Sequence, residues 1–359
     1  MKTYKHLYPQ IHDFENIYLA YRKARKGKRG RAQPAQFERV QEEELIALQD
    51  ELQTFKYTPG KYHNFFVHDP KKRLISAAPF RDRVVHHALY RVIEPIWEAR
   101  FINDTYANRV GKGTHRALDR TQSYARKYKY VLQCDVRQFF PSIDHAILRA
   151  EFSRLIRDEN VLWLCSEILK SGEGVLTEEY EMTWFPSDDP STGSGQGLFA
   201  VDRPRGLPIG NLTSQFWANV YLNSFDHFVK RDLKCAAYVR YVDDFLLFAD
   251  EPRTLLNWRT AVIQKMAGLR LSLHEEAAQV YPTHTGIPFL GFRVYPEYRL
   301  LKRRKIVHFR RKLRRVLTDY ANGIASIQKI GSSIKGWVNH VRYADTWGLR
   351  KDVLGGVHV

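Results

Sequence analysis

Two adjacent aspartates stand inside an otherwise apolar run, Tyr238-Val239-Arg240-Tyr241-Val242-Asp243-Asp244-Phe245-Leu246-Leu247-Phe248-Ala249. Apolar runs joined by a short acidic turn read as a β-hairpin. Carboxylates set beside a core repel each other unless a cation joins them. A further acid, Asp135, ends an earlier apolar stretch over residues 128–136 that reads as a buried strand. If the two strands are neighbours, Asp135 and Asp243 converge on one spot although they lie over a hundred positions apart. Phosphoryl transfer needs little else: two Mg²⁺ ions about 4 Å apart activate the attacking hydroxyl and stabilise the leaving oxygen. Oxygen ligands suit Mg²⁺, with substrate phosphates completing its shell. An Asp-Asp pair alone is usually a solvated cap. The flanking strands and the second strand-end acid make this pair informative.

The charge balance points the same way. Lysine and arginine number 57 against 39 acids, a formal +18. So large an excess predicts a polyanionic partner, nucleic acid or an anionic membrane. No apolar run of about 18 residues is present to span a bilayer, and the start lacks a signal-peptide pattern. Cys134, Cys165 and Cys235 stand far apart and form no Cys-x-x-Cys pair, so they read as small core residues in a reducing, cytoplasmic setting.

Periodicity predicts a helix over 11–25 and a second over 34–55, with a basic turn, 26–31, between them. Residues 62–78 alternate as short strands with Phe65, Val67, Leu74 and Ile75 inward. Helices follow over 81–97, about 143–170 and about 213–230. Between them, Ser187 to Gly197 reads as a flexible loop within an insertion near 171–206. The last sixty residues read as helical and strongly basic. In the stretch 299–315, Leu313 faces a core, as do Val316 and Leu317 just beyond it. Arg303, Arg304, Lys305, Arg310, Arg311 and Arg314 then line a groove for a nucleic-acid backbone.

The chain resembles bacterial reverse transcriptases along nearly its full length. Asp135-Val136-Arg137-Gln138-Phe139-Phe140-Pro141-Ser142-Ile143 is similar to their first acidic motif, Tyr241-Val242-Asp243-Asp244 to their signature box, and Phe289-Leu290-Gly291-Phe292 to the hairpin that grips the primer. The resemblance implies a right-hand α+β fold of fingers, palm with an antiparallel sheet, and helical thumb. Fingers are expected over 1–130, palm over 131–295 including a fingers-side helix near 207–230, and thumb over 296–359. It implies Asp135, Asp243 and Asp244 as catalytic acids. These, with the Val136 carbonyl, hold two Mg²⁺ ions, Mn²⁺ being an alternative. Arg73 resembles the fingers arginine that grips the triphosphate, with Lys72 a weaker candidate; both also read as a solvated basic turn. Phe140 is the aromatic that packs under the incoming sugar and excludes a 2′-hydroxyl, or else plain core; Phe139 is the more core-like of the two. Leu290, Gly291 and Phe292 are the primer-grip candidates.

The segment Gly206-Leu207-Pro208-Ile209-Gly210-Asn211-Leu212-Thr213-Ser214-Gln215 departs from the common pattern, in which Gln-Gly precedes a Ser-Pro pair. Its Ile209-Gly210 and Ser214-Gln215 are similar to the enzymes of diversity-generating retroelements. So are Phe14 to Lys23, Tyr106 to His115, and Gly336 to His340 with Ala344-Asp345-Thr346. That resemblance implies copying of a template RNA into cDNA with misincorporation opposite adenine. It also implies a small basic pentameric accessory protein as partner, besides template RNA, RNA/DNA hybrid and dNTPs. Ile209, Gly210 and Gln215 then border the nucleotide. An isoleucine cannot make the glutamine's hydrogen bonds, which predicts low fidelity, with Ile209 and Arg73 as determinants. No lysine stands before the primer-grip hairpin as a proton donor; His274 is nearby. The rivals are an antiphage or intron-type reverse transcriptase, the latter expected to carry maturase and endonuclease segments, and a non-catalytic RNA-binding scaffold.

Overall fold

The structure is a computed structural model that describes residues 2–28, 30–68, 72–185 and 203–355. The Ser187–Gly197 loop and Lys71 lie outside the described residues. The helices are α1 (Tyr8–Ile11), α2 (Phe14–Arg25), α3 (Ala32–Arg39), α4 (Gln41–Gln53), α5 (Phe80–Glu98), α6 (Thr114–Lys127), α7 (Phe139–Ser142), α8 (His145–Leu155), α9 (Glu159–Ser171), α10 (Leu212–Tyr221), α11 (Asn223–Arg231), α12 (Pro252–Gly268), α13 (Arg303–Ala321), α14 (Ile327–Val341) and α15 (Trp347–Leu354). The strands are β1 (His63–Val67), β2 (Arg73–Ala77), β3 (Tyr130–Asp135), β4 (Tyr238–Tyr241), β5 (Asp244–Ala249), β6 (Gln279–Pro282), β7 (Ile287–Phe289), β8 (Phe292–Val294) and β9 (Arg299–Leu301). No helix among the described residues is long and apolar enough to cross a membrane. All three cysteines are buried thiols.

The chain divides into two compact units, each drawn from three stretches. The first comprises Met1–Asn103, Asp135–Lys234 and Thr260–Glu275. It is largely helical, with α5 against α2 and α10, and carries the antiparallel β1–β2 ribbon. The second comprises Asp104–Cys134, Cys235–Arg259 and Glu276–Val359. Its core is continuous from α6 through Val131, Val239, Leu246 and Phe248 to the β7–β8–β9 sheet and on to Phe309, Leu313 and Trp337 of the terminal helices.

Three expected helices are each two. The 143–170 run breaks because Tyr4 pairs with Ile156: Tyr4 N–H donates to Leu155 O at 2.8 Å and Arg157 N–H to Tyr4 O at 2.8 Å. Asp158 then starts α9. Its carboxylate accepts from Asn160 and Val161 N–H as an N-cap, and from Leu7 and Tyr8 N–H at 2.6 and 2.9 Å. The 34–55 run breaks at Val40, whose φ of −123° is not helical. The 213–230 run breaks at Leu222, which ends α10 and precedes α11. The inward assignments on the ribbon are corrected too. Phe65 is 42% exposed and Val67 39%, while Leu74 and Ile75 are half-buried. A two-stranded ribbon has both faces open unless a layer covers one, and here only Ser76 is fully buried among β2 residues.

Candidate active site

In the second unit, β4 and β5 pair in register from Tyr238↔Leu247 to Tyr241↔Asp244, leaving Val242 and Asp243 as the turn. Val242 sits at φ +60°, a conformation that costs a β-branched residue on the order of 1–3 kcal/mol. The surroundings over-determine it. Arg240 is wholly buried. Its N–H donates to Asp104 O at 2.9 Å, its O accepts from Tyr106 N–H at 3.0 Å, and its guanidinium donates to Val242 O at 2.9 Å. Thr114 Oγ1 and Tyr241 Oη lie 3.1 Å apart. Asp243 and Asp244 themselves are half-buried, open enough to meet a ligand.

The strand order β4-β5-β3-β6 sets β3, whose last residue is Asp135, beside β5, whose first residue is Asp244. In the same unit as the hairpin, Lys302 lies within the field of Asp244. Burial pushes its ammonium down and Asp244 pulls it up. Its N–H donates to Gly291 O at 3.1 Å, which ties it to the β7–β8 turn. That turn has Leu290 at φ +48° and Gly291 at φ +89°, the paired left-handed conformation of a tight hairpin. Phe292 is fully buried in the core and packs 5.0 Å from His340. Of the primer-grip candidates, therefore, its ring is structural. Lys302 went unread in the sequence, because one lysine in a basic run has no distinguishing spacing.

In the first unit, Asp135 is held by its backbone: His274 N–H donates to Asp135 O at 3.0 Å, and Val136 bridges Leu273. His274 Nε2 stands 3.9 Å from Asp135 Oδ2. Gln138 takes a left-handed turn at φ +46° and starts α7. Phe139 is 3% exposed and thus core, as expected. Phe140 is half-buried and meets it edge-on at 5.4 Å. Downstream, the sequence reading missed a strut. Asp144 caps α8 through Ile147 N–H at 2.9 Å, binds Arg203 twice at 2.6 and 3.0 Å, and lies 3.7 Å from Arg270. Only the capping position of Asp144 carries a local sequence signal.

The unusual 206–215 segment is seated on both neighbours in its unit. Gly206 N–H donates to Ile143 O and Leu207 N–H to Phe140 O at 2.8 and 2.9 Å. Ser76 N–H of β2 donates to Ile209 O at 2.8 Å. Asn211 locks the junction, accepting from Ala78 N–H at 3.0 Å and donating to Ser76 O at 2.9 Å. Gly210 has φ +120°, and a Cβ there would lie 2.9 Å from Ile75 Cγ2, so glycine is required twice over. Ile209 and Gly210 are thus brought against the strand that begins with Arg73. Arg73 is exposed, Gln215 is exposed, and Lys72 places its ammonium 4.1 Å above the Phe66 ring.

On α13, Leu313 and Val316 are buried and Phe309 stacks on Trp337 at 4.2 Å, while Arg303, Arg304, Lys305, Arg311 and Arg314 are exposed on the other side. Arg310 is exposed but ion-paired with Asp352. Among the described residues no three His, Cys, Asp or Glu side chains gather to hold an ion alone. Mg²⁺ does not need that: one or two carboxylates with carbonyl and substrate oxygens suffice, and Asp135, Asp243, Asp244 and the Val136 carbonyl are donors of that kind.

The profile described as Reverse transcriptase (RNA-dependent DNA polymerase) matches residues 67–294. The chain belongs to this family. The match takes in every motif from Arg73 to Phe292. The α+β, right-hand polymerase fold and RNA-directed DNA polymerase class follow from it, as does general use of divalent metals such as Mg²⁺. This reverse transcriptase is 24% identical over 294 residues to Protein YkfC of Escherichia coli, covering 70% of the chain and 71% of that protein. It is 22% identical over 191 residues to the Group II intron-encoded protein LtrA of Lactococcus lactis, covering 52% of the chain and 28% of LtrA. Nuclear intron maturase 2 of Arabidopsis thaliana is 26% identical over 185 residues, 47% of the chain and 25% of the maturase. The chain therefore spans about a quarter of the length of these two intron proteins. A telomerase from Candida albicans aligns over 71% of the chain and 50% of its own, at 10% identity and TM-score 0.40.

Proposed function

We propose that this reverse transcriptase copies a template RNA into cDNA with low fidelity at template adenines, as the enzymes of diversity-generating retroelements do. The observation that carries the reading is the seat of Ile209-Gly210. The backbone there is fixed against β2, with Ile209 O accepting from Ser76 N–H and Gly210 close to Ile75, and the chain carries an isoleucine where the resemblance puts a hydrogen-bonding glutamine. Correct pairing is favoured when a wrong geometry leaves polar groups unpaired. Without the glutamine amide that check loosens.

Asp135, Asp243, Asp244 and the Val136 carbonyl would hold two Mg²⁺ ions, which when bound supply Lewis-acid activation of the primer hydroxyl and neutralise charge on the leaving pyrophosphate. Arg73 contributes a planar fork for the triphosphate. Phe140, half-buried beside Leu207, bears on the sugar and excludes a 2′-hydroxyl by bulk. The exposed cations of α13 track the duplex backbone without reading sequence. Fingers, palm and thumb follow as 1–130, 131–295 and 296–359. A small basic accessory protein is the proposed partner.

The test is primer extension on an RNA template, sequenced for errors. Ile209→Gln should lower misincorporation opposite template adenine by about tenfold, the worth of one good hydrogen bond. Unchanged error at adenine defeats the low-fidelity reading but leaves the polymerase intact. The intron-encoded relatives favour a second reading, an intron-type reverse transcriptase; accurate copying by the unaltered enzyme would support it.

A further inference from the structure

A cavity of about 500 Å³ lies within the first unit, where the last turns of α2 and the Lys26-Gly27 turn meet Arg91 of α5. Its lining carries Arg22, Lys23, Arg25, Lys26 and Arg91 beside Leu19 and Gly27, and no carboxylate. Arg25 is ion-paired with Glu38. Arg91 Nε–H donates to Asn16 Oδ1 at 2.9 Å, a bond that leaves its charge uncancelled. Among the described residues no ion pair engages Arg22, Lys23, Lys26 or Arg91. The field continues past the rim. Burial, then Lys28, Lys23 and Arg91, holds the His87 imidazole down; burial, then Arg83 and Arg31, does the same to the Lys28 ammonium.

Two ordinary explanations fall short. Cations in the last turn of a helix favour its dipole, which accounts for Arg22, Lys23 and Arg25. It does not account for Arg83 near the start of α5, where the dipole disfavours a cation, or for Arg91 in the interior of that helix. Surface charge that only confers solubility mixes both signs, whereas this recess holds one. Like charges gathered from two helices and a turn repel, so the fold holds them at a cost that a polyanion offsets.

Phe14, Tyr18 and Arg22 succeed one another at one-turn spacing on α2, away from the buried side made by Ile17, Ala20, Tyr21 and Ala24. Phe14 is 42% exposed and Tyr18 38%, and the Arg22 guanidinium lies 5.9 Å from the centre of the Tyr18 ring. Two open rings therefore lead to the cationic recess. Aromatic platforms beside a positive groove are how proteins hold unpaired nucleic acid. On α5, Arg83, His87 and Arg91 repeat the spacing. Neighbours on a helix face are about 5–6 Å apart, close to the step between successive phosphates of an extended strand. We infer that α2 and α5 bind an unpaired RNA segment outside the primer–template duplex, its phosphates in the recess and its bases on Phe14 and Tyr18. The rings stack on any base, so the site is sequence-tolerant. A membrane surface would call for a broad apolar face, and α2 has its own turned into the core.

The experiment is fluorescence anisotropy of the full chain, without divalent metal or dNTP, with a labelled unstructured RNA of about 12 nucleotides added over saturating RNA/DNA hybrid. The RNA should bind saturably, about tenfold or more tighter than a duplex RNA of the same length. Arg22→Ala, Lys23→Ala and Lys26→Ala combined should weaken it on the order of tenfold or more. The same change should flatten the slope of log affinity against log salt by about 2, or roughly 0.7 for each cation removed. Tyr18→Leu should weaken binding about tenfold and leave that slope unchanged. Should the triple variant lose its fold, Tyr18→Leu decides alone. No binding over the hybrid, equal affinity for duplex RNA, equally effective competition by tripolyphosphate, tighter binding to phosphatidylserine vesicles, or RNA affinity that both variants leave intact overturns the proposal. None of these results bears on fidelity at adenine.

Discussion

The β4–β5 hairpin and the β1–β2 ribbon are both two-stranded antiparallel pairs, yet they are built oppositely. The hairpin is buried along β5, anchored by an arginine with no exposed surface, and strong enough to hold a β-branched valine at positive φ. The ribbon is exposed along all of β1, with Phe65 and Phe66 in the open, and is held near its far end by Ser76 and Ala78 to the 206–215 segment. Rigid support is where charge must be placed without reorganisation. An open, lightly anchored ribbon is where a substrate has to enter and be judged. On the proposed reading, chemistry belongs to the hairpin and selection to the ribbon.

The sharpest way to break that division is at the hairpin. Asp243→Asn keeps size and removes the charge. It should abolish primer extension, on the order of 10³-fold or more, with no loss of melting temperature because the side chain is not in the core. Residual activity within tenfold of the unaltered enzyme would remove Asp243 from the proposed metal-holding set. On the ribbon side, Gly210→Ala sets a methyl group 2.9 Å from Ile75 Cγ2 at φ +120°. We expect about 1–3 kcal/mol of local strain, seen as a loss of dNTP affinity of about tenfold to a hundredfold with a smaller change in kcat. A normal KM would mean the ribbon seat does not bear on nucleotide selection.

How much of this was legible in the sequence follows from the same contrast. The hairpin could be read because burial imposes an apolar pattern and charge violates it, so Asp243 and Asp244 stood out. On the ribbon, the inward assignment fails at Phe65 and Val67, because alternation encodes a buried face only where something packs on it; Leu74 and Ile75 are half-buried. Helix ends were read poorly wherever a distant partner made the break: Tyr4 at Ile156 is invisible to local periodicity. Asp144, Arg203 and Arg270 form a strut across 126 positions, and Lys302 gains meaning only from Asp244 nearby. Spatial neighbours of that kind leave no spacing to find.

Arg73→Lys offers a finer cut. Charge is retained and the planar fork is lost. The dNTP KM should rise about tenfold while kcat on saturating dNTP holds within threefold or so. An equal fall in kcat would move Arg73 from substrate gripping to the chemical step.

The smallest effect at neutral pH separates the two regions by stability. His86 on α5 is wholly buried, with Nδ1 3.4 Å from Thr213 Oγ1 of α10, the helix that carries the end of the 206–215 segment. Burial, then His87 and Arg83, hold its pKa down at about 3. His87, half-buried, is held at about 4 by its partial burial first and then by Lys28, Lys23 and Arg91. Both folded values lie below the unfolded value near 6.5, so the unfolded chain takes up the protons first. Stability is complete above about pH 6.5 and falls as pH drops toward 3. For His86 alone the loss between pH 7 and pH 5 is about 2 kcal/mol. Amide exchange should therefore accelerate at α5 and α10 over that interval, more than at β4 and β5, which carry no histidine of their own. His86→Gln should flatten the α5 and α10 response by one proton. Equal acid sensitivity in both regions would mean that unfolding is global, and that the hairpin and the segment flanking the ribbon share one stability.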